Sequence, residues 1–496
     1  MEANRRHALA LQQLHRHHGT PDGSGIINAT TNVASSDLLT PQQEAVLRAV
    51  QQGCSIFITG SAGTGKSFLL GHIIAALRRI HQPDAVFVTA STGIAACALG
   101  GQTLHSFAGI GLGRGDRDTL LRRAATSHGA AKRWRRAAAL VIDEISMVDG
   151  GVFDALDYIA RALRWQHRRW GGLQLVVSGD FFQLPPIKAP DPTKEFAFEA
   201  DCWDSSFDLQ VELTHVFRQS DSRLIDLLQG IRRGEPIPQQ HLLPLLEPCS
   251  KGGECDRDDE ENVTRLFPRN DDVRRVNEER LRSLGREVIT FVAADTGSEP
   301  WRSQLRQGIA PEVLELCVGA RVMLIKNTDP AAGLVNGSTG VVTGFIVEEE
   351  EDGGGGVGRW RLLPRVRFER GTGGGSVEVT VRREKWDVME GEKVMARRTQ
   401  VPLILAWALS VHKCQGMTLE RLHTDLSRAF GCGMVYVALS RVRSLDGLRL
   451  SGGGFDPGKV KAHPKVVQFY HHHLASSGPP TPLLLPPAGT PTSRWP

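Results

Sequence analysis

The chain has 496 residues and 41% hydrophobic content, enough for two to four domains with substantial cores. A formal net charge of +4 excludes a global polycation, so any nucleic-acid affinity must come from a local basic channel. The longest strongly apolar run, 401–411, is about half of the roughly 20 residues a bilayer span needs, which excludes a membrane helix; the 8 cysteines lack Cys-x-x-Cys spacing and read as reduced intracellular thiols.

In chain order, residues 1–36 carry Arg5, Arg6, Arg16 and several histidines, with Glu2 and Asp22 as the acids. An organelle-targeting segment and a polar disordered tail are both open, and the Gly/Ser/Thr content favours the tail. From Leu39 to about Ala200, short apolar runs at 56–59, 85–89, 138–143 and 173–178 alternate mostly with helical stretches. That alternation predicts an α/β fold with a parallel sheet covered on both faces. A second α/β region begins near Phe207 and is broken between about Gly340 and Gln400. The break holds an acidic run at 348–352, glycines at 353–356, the Gly-rich stretch 370–375 and the alternation Val377-Glu378-Val379-Thr380-Val381. It reads as an inserted antiparallel β domain with flexible hairpin tips. The acidic segment 250–262 and the Pro-rich end 476–496 read as disordered, and His471, His472 and His473 as a solvated helix end.

The most informative stretch is Gly60-Ser61-Ala62-Gly63-Thr64-Gly65-Lys66-Ser67, set between an apolar strand and a helical pattern. It fits the P-loop template, whose backbone N–H groups and helix N-terminus wrap a triphosphate. Lys66 is expected on the β/γ-phosphates and Ser67 on Mg²⁺. Residues 139–144 form an apolar run ending in two carboxylates, with Asp143 placed to hold Mg²⁺ and Glu144 to activate the attacking water. Gln183, after another apolar strand in Gly179-Asp180-Phe181-Phe182-Gln183-Leu184-Pro185-Pro186, suits a γ-phosphate or water sensor. Arg218 and Arg441 each follow an apolar segment of the second α/β region and are candidates for stabilising charge on a transferring phosphoryl group.

Together these motifs closely resemble the Pif-one family of superfamily-one DNA helicases, in the RecD-like branch, in the family's order from Leu39 to about Leu450. Leu39-Thr40-Pro41-Gln42-Gln43 resembles the Q motif, with Gln43 as adenine reader. Residues 89–96 resemble motif Ia, and 101–111 the next DNA-contacting motif. Residues 179–186 resemble motif III, 213–219 motif IV, 406–419 motif V and 435–448 motif VI. Residues 153–161 resemble the family's signature helix, with Ala155-Leu156-Asp157 where the family usually has Lys-Leu-Glu.

The resemblance implies two RecA-like P-loop NTPase domains with a small antiparallel β domain inserted in the second. The expected bounds are a tail at 1–37, the first motor domain at 38–200, the second at 201–339 and 401–475, the insert at 340–400 and a tail at 476–496. It implies ATP and Mg²⁺ as cofactors, with Phe68 added to Gln43 and the loop as nucleotide contacts. It implies DNA contacts from Thr92, Thr103, His105, Ser106, Phe107, Asn336, His412, Lys413 and Gln415. For Phe107, core packing and base stacking stand level. The basic-aromatic runs 132–136 and 161–170 read as solvated helix faces rather than nucleic-acid tracks.

The implied activity is 5′-to-3′ translocation on single-stranded DNA, with unwinding of duplex, forked or quadruplex DNA in genome maintenance. The implied motor is a monomer in the nucleus, the mitochondrion or both, without a membrane. A RecD-like recombination motor subunit is the alternative. A GTPase-type switch is disfavoured because no Thr-Lys-x-Asp base-reading motif is present.

Overall fold

The computed structural model describes residues 39–473, apart from 112, 187–190, 236–262, 300, 306–309, 327, 330–333, 335–336, 351–358, 370–374, 391–392, 412, 420 and 451–456. The two terminal tails, the acidic segment 250–262, and most of both glycine-rich tips therefore lie outside the described residues.

The first domain is built on β1 (Ile56–Gly60), β2 (Val86–Ala90), β3 (Gln102–Thr103), β4 (Ala139–Asp143), β5 (Gln174–Ser178) and β6 (Leu209–Leu213). All pair in parallel, in the order β3-β2-β4-β5-β1-β6. β1 and β4 are buried along their whole length. Their near-continuous apolar sequence follows from helices covering both faces. One covering helix, Lys66–Ile80, buries Leu69, Leu70, Ile73, Ile74, Ala76 and Leu77 at helical spacing.

The second domain has a smaller parallel sheet, in the order Ala408–Ser410, Thr264–Phe267, Leu422–Thr424, Leu448–Leu450. Between its strands lie, among the described residues, three antiparallel sheets. The largest joins Ser376–Thr380, Arg359–Glu369, Thr339–Glu350, Arg321–Leu324 and Leu403–Leu405. The α/β class with two parallel-sheet domains and an antiparallel insert is thus the observed architecture.

Three boundaries differ from the sequence expectation. β6 lies beyond residue 200 yet completes the first sheet, pairing with β1 from Ile56↔Leu209 to Gly60↔Leu213. The antiparallel body is not confined to 340–400, because Ile289–Val292, Ala294–Gly297, Val313–Leu316 and Arg321–Leu324 also belong to it. The helix Pro464–His473, expected in the second domain, contributes Val466, Phe469 and Tyr470 to the first domain's core.

That returning helix caps a buried charge cluster. The Arg232 guanidinium donates to both oxygens of Asp180 at 3.0–3.2 Å and to Glu212 at 2.8 Å. It lies over both the Phe182 and Tyr470 rings, 4.8 and 5.1 Å from their centroids, which are themselves 4.6 Å apart. The Tyr470 hydroxyl meets Thr59 Oγ1 at 2.5 Å and accepts from the Phe181 N–H at 3.3 Å. Arg232 is 2% exposed and Asp180 0%. Removing one member of such a pair leaves an uncompensated buried charge, at about 3–5 kcal/mol, whereas replacing both is far milder. Arg232→Met is therefore expected to lower the first domain's thermal transition sharply, and Asp180→Leu/Arg232→Met to recover most of the loss. Calorimetry checks this; a double variant as damaged as the single would contradict it.

The signature helix Gly150–Arg164 is a packing element. Asp149 caps it by accepting from the Val152 N–H at 2.8 Å. Asp154 accepts from Lys194 Nζ at 2.6 Å and the Cys202 N–H at 3.0 Å. Asp157 accepts from the Trp170 N–H at 2.6 Å and pairs with Arg161 Nε at 2.7 Å. Trp134 and Trp170, from the two basic-aromatic runs, are fully buried, and Arg164 donates to the carbonyls of Gly171, Trp134 and Ala137. These runs are largely structural.

Candidate active site

Parallel strands deliver their C-terminal ends to one edge, where ligands bind. Here β1 runs into the glycine loop, β4 ends in Asp143, and β5 leads to Gly179 and Asp180. A cavity of about 360 Å³ at this edge is lined by Lys66, Ser67, Phe68, Glu144, Gln183, Arg218 and Arg441, among others. The sequence therefore named most of the wall. Phe217, Arg443, Gly416 and Thr418 also line it and were not named as site residues. Phe217 flanks Arg218 and Arg443 follows Arg441 closely, which is the signal that could have found them.

The loop is crowded from behind. A Cβ on Gly63, at φ 85°, would stand 2.6 Å from Arg218 Cβ, so only glycine fits. The Phe217 N–H donates to the Gly63 carbonyl at 2.8 Å, pinning the segment after β6 to the loop. Lys66 Nζ donates to the carbonyls of Gly60 at 2.7 Å and Ser61 at 3.0 Å, and burial lowers its pKa. The helix Lys66–Ile80 begins at Gly65 without a side-chain cap. Gln43 is buried, reaching the Thr64 carbonyl at 3.4 Å, and is not among the cavity-lining residues.

The carboxylates sit deep. Burial raises Asp143, and burial next to Asp143 pushes Glu144 up to about 7. Glu144 has a left-handed backbone, φ 54°, which an L-residue adopts at a cost of order 1 kcal/mol. Ser91 Oγ holds it by donating to the Glu144 carbonyl at 2.7 Å. Its side chain accepts from Gln415 Nε2 at 2.9 Å.

The second domain closes the cavity. Arg218 donates to the Ser440 carbonyl at 3.0 Å, and Gln219 Nε2 to Ser440 and Val442 carbonyls at 3.2 and 2.9 Å. Arg441 is 1% exposed and held by Val437 O at 2.8 Å, Met417 O at 3.3 Å and Ser440 Oγ at 2.7 Å. Neither arginine has a carboxylate salt bridge among the described residues. Burial and the neighbouring Arg441 bring Arg218 down to about 9, still a cation at neutral pH. Tyr436 of the helix Met434–Leu439 accepts from the Ala62 N–H of the loop at 2.7 Å. A Cβ on the helix cap Gly433, at φ 74°, would lie 2.4 Å from the Gln183 carbonyl, so this helix packs directly on the Gln183 segment.

The expected DNA contacts divide. Asn336 and His412 lie outside the described residues. Thr92 and Thr103 use their hydroxyls as helix caps, accepting from the Ala95 N–H at 3.2 Å and the Ser106 N–H at 3.3 Å. Ser106 lies in the short helix Leu104–Ala108, and His105 beside it is held below its usual pKa by burial. Lys413 is half-buried, without an ion-pair partner among the described residues. Gln415 is turned to Glu144.

Phe107 is the correction. It is 0% exposed and packs between Phe87 at 5.1 Å and Trp134 at 4.8 Å, so its ring is core and not a base platform. Phe107→Ala is expected to cost about 3–5 kcal/mol of stability. Phe107→Leu should leave single-stranded DNA affinity within about twofold, where loss of a stacked base would cost about 1–3 kcal/mol. Fluorescence anisotropy with a labelled oligonucleotide distinguishes the two.

A glycine loop at a helix start, facing arginines supplied from a second parallel-sheet domain, defines a two-domain P-loop nucleotide-binding fold. The sequence matches the family model described as PIF1-like helicase over residues 38–235, and the one described as DNA helicase Pif1, 2B domain over 303–345. An ATP-dependent DNA helicase PIF1 of Rattus norvegicus is 43% identical over 442 residues, covering 88% of this chain and 64% of the relative. The chain thus spans just under two thirds of that relative's length. The crystal structure of a Pif1 helicase from Candida albicans superposes with a TM-score of 0.77 at 40% identity, covering 88% of this chain and 99% of that one. A Bacteroides Pif1 helicase in complex with ADP-AlF3 and single-stranded DNA superposes at 0.64 with 26% identity, covering 89% and 98%. The chain belongs to the Pif1-like helicase family.

Proposed function

We propose that this chain is an ATP-dependent DNA helicase: a DNA-stimulated ATP hydrolase that translocates 5′ to 3′ on single-stranded DNA and unwinds duplex or forked DNA. The observation that carries this reading is the single cavity where the Lys66 loop and Glu144 of one domain meet Arg441 of the other. The lining fits a polyanion: Lys66, Arg218, Arg441 and Arg443 face one carboxylate, Glu144. Lys66 and the loop hold the β/γ-phosphates. Glu144 orients the water and takes its proton, a role its position in the cavity wall with Lys66 and Arg441 allows. Gln183 senses the γ-phosphate, and Arg218 and Arg441 offset the charge that develops as it leaves. Ser67 and Asp143 offer hard oxygen donors that suit Mg²⁺, which when bound neutralises phosphate charge.

Hydrolysis is useful to a helicase because it opens and closes the two domains. Arg218, Gln219 and Tyr436 already bridge them, so a change at the phosphates shifts the second domain. A base-pair step averages about 1.4 kcal/mol of stacking, within reach of one hydrolysis event. The Bacteroides relative is described with single-stranded DNA, which supports the same partner here. Quadruplex substrates, a monomeric motor, roles in replication, repair, recombination and telomere upkeep, and action in the nucleus or mitochondrion rest on the family resemblance.

The reading is tested by ATPase assays with and without oligo-dT. Single-stranded DNA should stimulate turnover, and its affinity should fall as salt rises because the contacts are to phosphates. Turnover indifferent to DNA would instead favour a nucleotide switch.

A further inference from the structure

Gln415 lies in the turn that follows the strand Ala408–Ser410, 271 residues along the chain from the carboxylate it touches. The turn is fixed at its centre. The Lys413 and Cys414 N–H groups both donate to the Ser410 carbonyl, at 2.9 and 3.2 Å, and the Met417 N–H donates to the Cys414 carbonyl at 3.0 Å. Cys414 is fully buried and points its thiol at the Val411 carbonyl, 3.1 Å away. Around this anchor three side chains take different directions in function. Lys413 is a cation without an ion-pair partner among the described residues, Gln415 donates to Glu144 Oε2 at 2.9 Å, and Thr418 lines the cavity.

The sequence reading placed both Lys413 and Gln415 on DNA. The geometry separates them. An amide has two donors and one acceptor oxygen, and here one donor is spent on the carboxylate proposed to activate water. Glu144 has an unusual backbone, held from one side by Ser91, and among the described residues its side chain accepts a hydrogen bond from Gln415. A carboxylate that must orient a water within hydrogen-bond reach needs its free oxygen aimed, and fixing the other oxygen achieves that.

We propose that Gln415 is a positioning residue for ATP hydrolysis: it fixes Glu144 from the same turn that carries Lys413, the cation expected on DNA, so that strand binding and water activation share one rigid element. This rests on the motor reading above. It supplies a physical route for DNA stimulation, because a shift of the turn on binding a strand moves Gln415 Nε2 and with it the Glu144 oxygen.

The test uses the full chain with Gln415→Leu and, as a second variant, Gln415→Met. With saturating oligo-dT, kcat should fall by about tenfold or more, while ATP KM and the DNA Kd change by less than about threefold. In a Glu144→Gln background, which lacks the group Gln415 acts through, the same substitutions should change the residual single-turnover rate by less than about twofold. Three results would overturn the assignment: kcat unchanged in both variants, a full and independent loss in the Glu144→Gln background, or weakened DNA binding with kcat at saturating DNA intact. The last would return Gln415 to the DNA interface. Loss of nucleotide binding together with a large fall in melting temperature in both variants would assign it to packing and overturn the proposal as well. A wild-type chain without DNA-stimulated hydrolysis would overturn this inference and the motor reading together, whereas the other outcomes leave the motor reading standing.

Discussion

Lys66→Ala abolishes ATP hydrolysis and strand separation while leaving the chain folded; that is the expected result of deleting the loop's cation. Lys66 Nζ is engaged by two loop carbonyls, Gly60 and Ser61, and lines the cavity. It has no apolar packing role that the core depends on, since the first core is built from Phe57, Leu140, Ile142, Phe153 and their neighbours. Removing a preorganised group that meets developing charge costs about 10²–10³ in kcat even for a neutral donor, so a full cation on the phosphates should cost about a thousandfold or more. The measurement is steady-state ATPase with oligo-dT, alongside a melting curve. A folded variant with unchanged DNA-stimulated turnover would remove Lys66 from the site.

Arg441→Ala should lower kcat by about 10³–10⁵, with Arg218→Ala acting in the same direction. The Arg441 guanidinium is already fixed by Val437, Met417 and Ser440, so its charge is preorganised and nothing must move to present it. Such a charge acts most where charge develops in the transition state, so ATP affinity should change far less than kcat. Arg441→Lys should not restore activity, because an ammonium cannot keep three directed bonds and still face the cavity. Stopped-flow nucleotide binding combined with single-turnover hydrolysis separates the two effects. A variant that binds ATP poorly but turns over normally would make Arg441 a ground-state ligand.

The parts legible in the sequence are those whose signal is local. β1, β4 and β5 are continuous apolar runs because both sheet faces are covered, and the loop Gly60 to Ser67 carries its chemistry in consecutive residues. Glu144, Gln183, Arg218 and Arg441 could be named because each ends or follows such a run, and all four line one cavity. What was not legible depends on pairing across the chain. β6 belongs to the first sheet through its register with β1, which no local pattern encodes. Tyr470 returns to the first domain to meet Asp180, 290 residues away, and Arg232 looks like a surface arginine on an amphipathic helix until that partner is in place. The antiparallel body takes in short strands such as Ile289–Val292 and Arg321–Leu324, which are four residues each and too brief to declare a sheet alone. Phe107 was read from its motif as a residue type that suits DNA, while its three-dimensional neighbour Trp134 makes it core, and the contact of Gln415 with Glu144 spans 271 residues that no local pattern connects.

The central claim is that the cavity between the two domains drives directional movement along one DNA strand. It is tested most directly by strand displacement on matched duplexes that differ only in tail polarity, with ATP and Mg²⁺ and with a protein trap to limit the reaction to one binding event. The account predicts displacement of the 5′-tailed duplex, none of the 3′-tailed duplex beyond background, and loss of the 5′-tailed displacement in Lys66→Ala. Equal displacement from either tail, or displacement that persists in Lys66→Ala, would contradict it.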